Sequence, residues 1–143
     1  MCGVAGIFGY AAHPSSCSSE ELRRICDNLD QRGPDGAGTW SSSDGRLWLG
    51  HRRLSVIAPG AEAAQPMRDA SERFVISFNG EIYNHRALRS DLEQRGYRFR
   101  TRSDTEVILN LFAADGADAC NKLQGMFAFA IYDTVSRSLF LAR

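Results

Sequence analysis

The chain has 143 residues, 43% of them hydrophobic and 24% charged, with 17 basic and 17 acidic side chains and a formal net charge of zero. That is enough for one domain whose core needs no staples. The even charge balance gives no reason to expect nucleic acid or an anionic membrane as a partner, and no apolar run approaches the ~20 residues of a membrane span. The cysteines, Cys2, Cys17, Cys26 and Cys120, include no Cys-x-x-Cys pair or Cys/His cluster with metal spacing, so no metal site is expected. Without a secretory leader, a reducing cytoplasm fits best.

Taken in order, Met1 to Gly9 reads as a strand, because Val4, Ile7 and Phe8 are apolar and the glycines at 3, 6 and 9 let other backbone come close. Ala11 to Ser19 reads as loop. Ser18 and Glu21 form a capping-box pattern, and Leu22, Ile25, Cys26 and Leu29 then recur at helical spacing. The cluster Arg32-Gly33-Pro34-Asp35-Gly36 ends that helix as a turn. A second turn, Ser42 to Gly45, joins a short strand around Trp40 to a longer one from Leu47 through Ile57. Pro59 to Met67 is a loop, and Phe74 to Phe78 is a strand. Asn79-Gly80 reads as a tight turn or bulge before Glu81-Ile82-Tyr83 resumes extended character.

Asn84 is placed to cap a helix that carries Leu88 and Leu92 and stops at Gly96. Ser103-Asp104-Thr105-Glu106 repeats the capping-box pattern and opens a helix with Val107, Ile108, Leu111 and Phe112 inward and Gly116 as its stop. Met126 to Asp133 and Ser138 to Arg143 read as paired strands. No closing turn follows them, as in a fragment of something larger. Strands at both ends around a block of helices predict a layered α+β or α/β arrangement.

The chemistry concentrates at a few places. With Met1 removed, Cys2 would carry a thiol and a free α-amine on one carbon, a nucleophile with its own base; such an amine titrates near ~7.7–8.0 and can take a proton at neutral pH. The plain alternative is an inert, packed cysteine. Arg52 and Arg53 are adjacent on a strand and point to opposite faces, so at most one can share a pocket with Cys2 and grip a small carboxylate. Asn79 and Gly80 could aim a side-chain amide and a backbone N–H at one point, as an oxyanion hole requires, or could be an ordinary hairpin turn. Glu81 and Asp104 could hold an ammonium, although Asp104 also suits a plain helix cap. Arg32 to Asp35 could be a turn or a pocket flap. Together these groups fit an α-amino acid with an acyl group on its side chain, and glutamine is the simplest case.

The motifs M-C-G-V-A-G-I-F-G, R-G-P-D-G, H-R-R-L-S-V-I, Q-P-M, F-N-G-E-I-Y-N-H, S-D-T-E-V-I and L-Q-G-M-F-A-F-A-I-Y-D run in order from Met1 to Arg143. They resemble the glutaminase domain of asparagine synthetases, a class II glutamine amidotransferase of the N-terminal nucleophile hydrolase group. The resemblance implies an α+β fold, a four-layer α/β/β/α sandwich, here C-terminally truncated, with residues 1–143 forming part of one amidotransferase domain. It implies that Cys2 is the nucleophile and that Arg53 binds the glutamine α-carboxylate. Main chain of Leu54, Ser55, Val56 and Ile57 would line the pocket. Asn79 and Gly80 would form the oxyanion hole, and Glu81 and Asp104 would bind the α-ammonium. No cofactor is implied for this chain; ATP and magnesium would serve a synthetase domain, normally in the same chain, that receives the ammonia and forms asparagine. Two other readings stand beside it: a catalytically silent glutamine-binding or interaction fragment, and the glutaminase of another amidotransferase pathway. The oligomeric state is left open, a homodimer included.

Overall fold

Two antiparallel sheets stacked face to face form the centre of the fold, and helices cover both outer faces. The computed structural model describes residues 2–9, 18–55 and 60–143. The first sheet has the order β1-β3-β2, from β1 (Gly3–Phe8), β2 (Gly36–Ser41) and β3 (Leu47–Arg53). The second has the order β4-β5-β6-β7, from β4 (Met67–Arg68), β5 (Phe74–Ile82), β6 (Gly125–Asp133) and β7 (Ser138–Ala142). Helix α1 (Ser19–Asp27) lies on the first sheet and α3 (Asp104–Asp115) on the second, with α2 (His85–Gln94) packed on α3.

Each layer contact follows from the apolar pattern. Leu22 and Cys26, four residues apart on α1, are buried with Ala5 against the first sheet. The helix sits so close that a Cβ on Gly50 would lie 2.2 Å from the Cys26 sulfur. Ile25, expected inward, is exposed instead: a nine-residue helix on a three-stranded sheet buries a narrow stripe, and Leu22 and Cys26 fill it. Between the sheets, Leu47 and Leu49 meet Val75, Ala130 and Tyr132. The opposite face of β5 turns Ile76, Phe78 and Ile82 towards Ile108 and Leu109 of α3. Helix α2 then packs on α3 through Leu92, Val107 and Leu111. This is the expected α/β/β/α order of layers.

Several local expectations are corrected. Asn79-Gly80 makes no turn: β5 runs through it, paired with β6 from Phe74↔Asp133 to Ile82↔Gly125. Gly80 has φ +146°, and a Cβ there would lie 2.2 Å from the Met126 carbonyl oxygen, so this glycine serves close approach and not chain reversal. Strand β3 ends at Arg53 and not at Ile57, because its ladders end at Gly3↔Arg52 and Gly36↔Arg53; Val56 and Ile57 lie outside the described residues. Asn84 does not cap α2 with its side chain. Its amide instead donates to the Lys122 carbonyl at 2.9 Å and accepts from the Gln124 N–H at 3.0 Å, fastening the start of α2 to the approach to β6. Strand β4 and a short 3₁₀ helix, Gly116–Lys122, had no sequence signal strong enough to be read.

A second, apolar cavity of about 670 Å³ opens between the sheets beside β1 and β7, with Phe8, Leu47, Ala128 and Leu139 in its walls. No helix among the described residues is long and apolar enough to cross a membrane.

Candidate active site

A cavity of about 200 Å³ lies where the start of β1, the end of β3, the latter half of β5 and the N-terminus of α3 meet. Of the residues singled out from the sequence, Cys2, Arg53, Leu54, Asn79, Gly80, Glu81 and Asp104 line it. Ser55 is not among its lining residues, and Val56 and Ile57 lie outside the described residues.

Pairing of β1 with β3 places Cys2 beside the end of β3, although the two are 52 residues apart in sequence. The Leu54 N–H donates to the Cys2 sulfur at 3.3 Å, and the thiol lies 3.7 Å from the Leu54 carbonyl. Arg32 Nε donates to the Cys2 carbonyl at 3.4 Å. Its neighbours lock the same corner. A Cβ on Gly33 would lie 2.3 Å from the Arg52 carbonyl carbon, Pro34 bridges to Arg53, and Asp35 accepts the Ser55 N–H at 2.8 Å. The Arg-Gly-Pro-Asp segment is thus a packed brace against the end of β3.

The two arginines separate as strand geometry requires. Arg52 turns to α1, bonding Asp27 at 2.7 Å, Asp30 at 3.0 Å and the Cys26 carbonyl at 3.1 Å. Arg53 faces the cavity, and its Nη1 donates to the Gly60 carbonyl at 2.9 Å.

The opposite wall is the free edge of β5. In an antiparallel strand the N–H and C=O of alternate residues point to the same side, and here those of Ile76, Phe78, Gly80 and Ile82 point away from β6. Ile76 pairs with Met67 of the two-residue β4. Beyond it, side chains take over the edge: the Phe78 N–H donates to Gln65 Oε1 at 2.6 Å and the Ile82 N–H to Asp104 Oδ2 at 3.2 Å. Between them, by the same alternation, the Gly80 N–H lies on the edge where Gly80 lines the cavity. Next to it, Asn79 Oδ1 is buried with no hydrogen-bond partner among the described residues.

Asp104 is 4% exposed, and burial pushes its carboxyl above the ordinary value, against the pull of the Ile82 and Thr105 amides and nearby His85. Ser103 is the side-chain cap of α3, accepting from the Thr105 N–H at 3.1 Å. Glu106 does not complete a capping box; its carboxylate accepts from the Arg100 and Thr101 amides at 2.8 and 2.7 Å. Asp104 shares that cap, its Oδ1 accepting the same Thr105 N–H at 3.0 Å, while its Oδ2 takes the Ile82 N–H and its carboxylate lines the cavity. Glu81 also lines the cavity, and its side chain is exposed.

Behind the cavity, His51 of β3 is 1% exposed, with Nε2 3.0 Å from the Phe78 carbonyl of the other sheet. Burial lowers its pKa to about 4; the ring is therefore neutral at pH 7 and Nε2 donates its hydrogen. Gln65, Ser103, Thr105 and Phe78 also line the cavity or hold its walls and were not singled out as site residues. Gln65 stood in the Q-P-M motif, and its contribution becomes visible once β4 is seen to stop short.

Chemically, the arrangement sets a thiol, the Gly80 main chain, the Asn79 side-chain amide and a buried carboxylate around one small space. The chain matches the family described as "Glutamine amidotransferase domain" over residues 1–143. It belongs to that family. This glutamine amidotransferase domain is 39% identical over 145 residues to asparagine synthetase B (glutamine-hydrolyzing) of Escherichia coli K12 and 40% identical over 144 residues to asparagine synthetase (glutamine-hydrolyzing) 1 of Bacillus subtilis 168. Both matches cover all of this chain and 25% and 22% of the relatives, so the chain spans about a quarter of their length. Among solved structures, the glutamine phosphoribosylpyrophosphate amidotransferase of B. subtilis superposes with a TM-score of 0.74 at 25% identity, covering 92% of this chain and 35% of that one.

Proposed function

We propose that this amidotransferase domain hydrolyses glutamine to glutamate and ammonia through a γ-glutamyl thioester on Cys2, as part of an asparagine synthetase-like enzyme. The observation that carries the reading is the meeting of the Cys2 thiol, the Gly80 N–H and the Asp104 carboxylate in one cavity. Removal of Met1 frees the Cys2 α-amine, which takes the thiol proton as the sulfur attacks the side-chain carbonyl carbon of glutamine. The Gly80 N–H and the Asn79 amide receive the oxyanion that forms. As the C–N bond breaks, the amine passes its proton to departing ammonia. Water, deprotonated by the same amine, then splits the thioester and returns the thiol with glutamate.

Arg53 pairs with the α-carboxylate, and the Leu54 main chain forms that side of the pocket. Glu81 and Asp104 take the α-ammonium, which restores a counter-charge to a carboxylate that burial disfavours. The ammonia passes to an ATP- and magnesium-using synthetase domain; the fourfold greater length of the relatives supports a fused partner of this kind. On this reading residues 1–143 are part of the glutaminase domain and act in the cytoplasm, where a free thiol stays reduced.

Cys2→Ala tests the reading. It removes the attacking atom while leaving the β1–β3 pairing in place, so glutamine hydrolysis should vanish with an unchanged circular-dichroism spectrum. Intact-mass measurement should show the active protein lighter by one methionine. Persistent hydrolysis by the alanine variant would sink the mechanism.

A further inference from the structure

The edge of β5 that faces the cavity is held by side chains where a longer β4 would otherwise have paired with it. Phe78 is the critical residue there. Both of its main-chain groups point to that edge: the N–H meets Gln65 Oε1 at 2.6 Å, and the carbonyl accepts from His51 at 3.0 Å. Gln65 also reaches the other wall, since its Nε2 donates to Thr105 Oγ1 at 3.3 Å, one residue from Asp104. Its own main chain is pinned from below, because a Cβ on Gly38 of β2 would lie 2.0 Å from the Gln65 carbonyl oxygen. Gln65 therefore links β5 and α3 through its planar side-chain amide and meets β2 through its main chain, without belonging to any of the strands.

We propose that Gln65 is a positioning residue for catalysis, fixing the aim of the Gly80 N–H and its separation from Asp104; this rests on the reading of Gly80 as an oxyanion donor. Two residues of strand separate the Phe78 amide from the Gly80 amide, and their orientations are coupled by the pleat. Freeing the first lets the second swing. A paired strand could hold the same edge, but its backbone would occupy the space the substrate needs. A glutamine side chain supplies the acceptor and leaves the next amide open. Misaimed donors weaken binding of the oxyanion more than binding of the neutral carbonyl, so the loss falls on kcat.

The test compares Gln65→Ala, Gln65→Met and Gln65→Glu in the full chain by steady-state glutamine hydrolysis. It adds inhibition by L-glutamate γ-semialdehyde, whose thiol adduct carries its oxygen where the oxyanion would sit. The alanine and methionine variants should lose about 10-fold or more in kcat, while KM stays within about threefold. Their inhibition constants for the aldehyde should rise by the same factor as kcat falls. Gln65→Glu keeps an acceptor for the Phe78 N–H and should recover most of the lost kcat. Methionine and glutamate both approximate the native volume, so their comparison stands even if the alanine variant does not fold.

A methionine variant with wild-type kcat, a loss confined to KM, or equal damage from methionine and glutamate would each overturn the proposal while leaving glutaminase activity intact. A wild-type protein that does not hydrolyse glutamine would overturn the functional reading beneath it.

Discussion

Asp104 illustrates how one side chain can be legible by position and ambiguous by role. An acidic residue in the first turn of a helix is ordinary, because the exposed amides there favour negative charge. The sequence therefore allows a cap as readily as a ligand. The structure combines the two: Ser103 and Asp104 share the Thr105 N–H, Glu106 turns away to the Arg100 and Thr101 amides, and the Asp104 carboxylate still lines the cavity. Spacing alone could not have revealed that division of labour. With its carboxyl pushed up by burial, Asp104 favours a bound cation more than an exposed carboxylate would. Asp104→Asn should raise KM for glutamine about 10- to 100-fold, the worth of one charge-assisted hydrogen bond, and should lower kcat less. The wild-type KM should rise as pH falls through the raised pKa of the free enzyme, because protonation removes the charge that the ammonium needs. Initial rates across the acid range check both.

Strand β5 shows where dipeptide rules lose to longer-range pattern. Asn-Gly is a strong hairpin signal in isolation, yet here the strand continues through it. The deciding partner is Gly125, 45 residues away, whose own Cβ would lie 2.0 Å from the Glu81 carbonyl oxygen. Gly80 and Gly125 have φ of +146° and +158°, which lets β5 and β6 draw together beside the cavity. Gly125→Ala should destabilise the fold by about 1–3 kcal/mol through overpacking, read from urea unfolding. It should also lower kcat, because the displaced Glu81 carbonyl lies next to the Gly80 peptide. The helices were easier to read, since α1 and α3 both carry an N-cap and apolar residues at helical spacing, although α3 is buried on nearly every side from Asp104 to Leu111, whereas β4 offers two residues and no period at all.

The layered order of the whole molecule was legible because alternation within strands and helical spacing between them leave few ways to bury both faces. The polar part of the joint between the sheets was not: beside the apolar core of Leu47, Leu49, Val75, Ala130 and Tyr132, His51 bonds the Phe78 carbonyl and Ser77 the Gly50 carbonyl at 3.3 Å, and no local pattern announces either. His51 makes that joint sensitive to acid. Its pKa is lowered to about 4 in the fold, so the unfolded chain binds the extra proton between about pH 6.5 and 4. Stability from this group is complete above that window and is lost as pH falls through it, by about 3 kcal/mol in all. Asp104, raised in the fold, offsets part of the loss at the lower end. Urea midpoints measured from pH 7.5 to 4.5 should fall in the wild type, and the slope should flatten in His51→Gln, which keeps a donor but does not titrate.

The sulfur is carried by one sheet and the N–H opposite it by the other, so the reacting distance is a property of neither. The domain works as a caliper whose jaws are two slabs, held at their spacing by the apolar core between them and by the His51 and Ser77 bridges. Acid near pH 4 charges the buried ring without removing its hydrogen bond to the Phe78 carbonyl, so there the joint weakens through a buried charge and not through a lost contact.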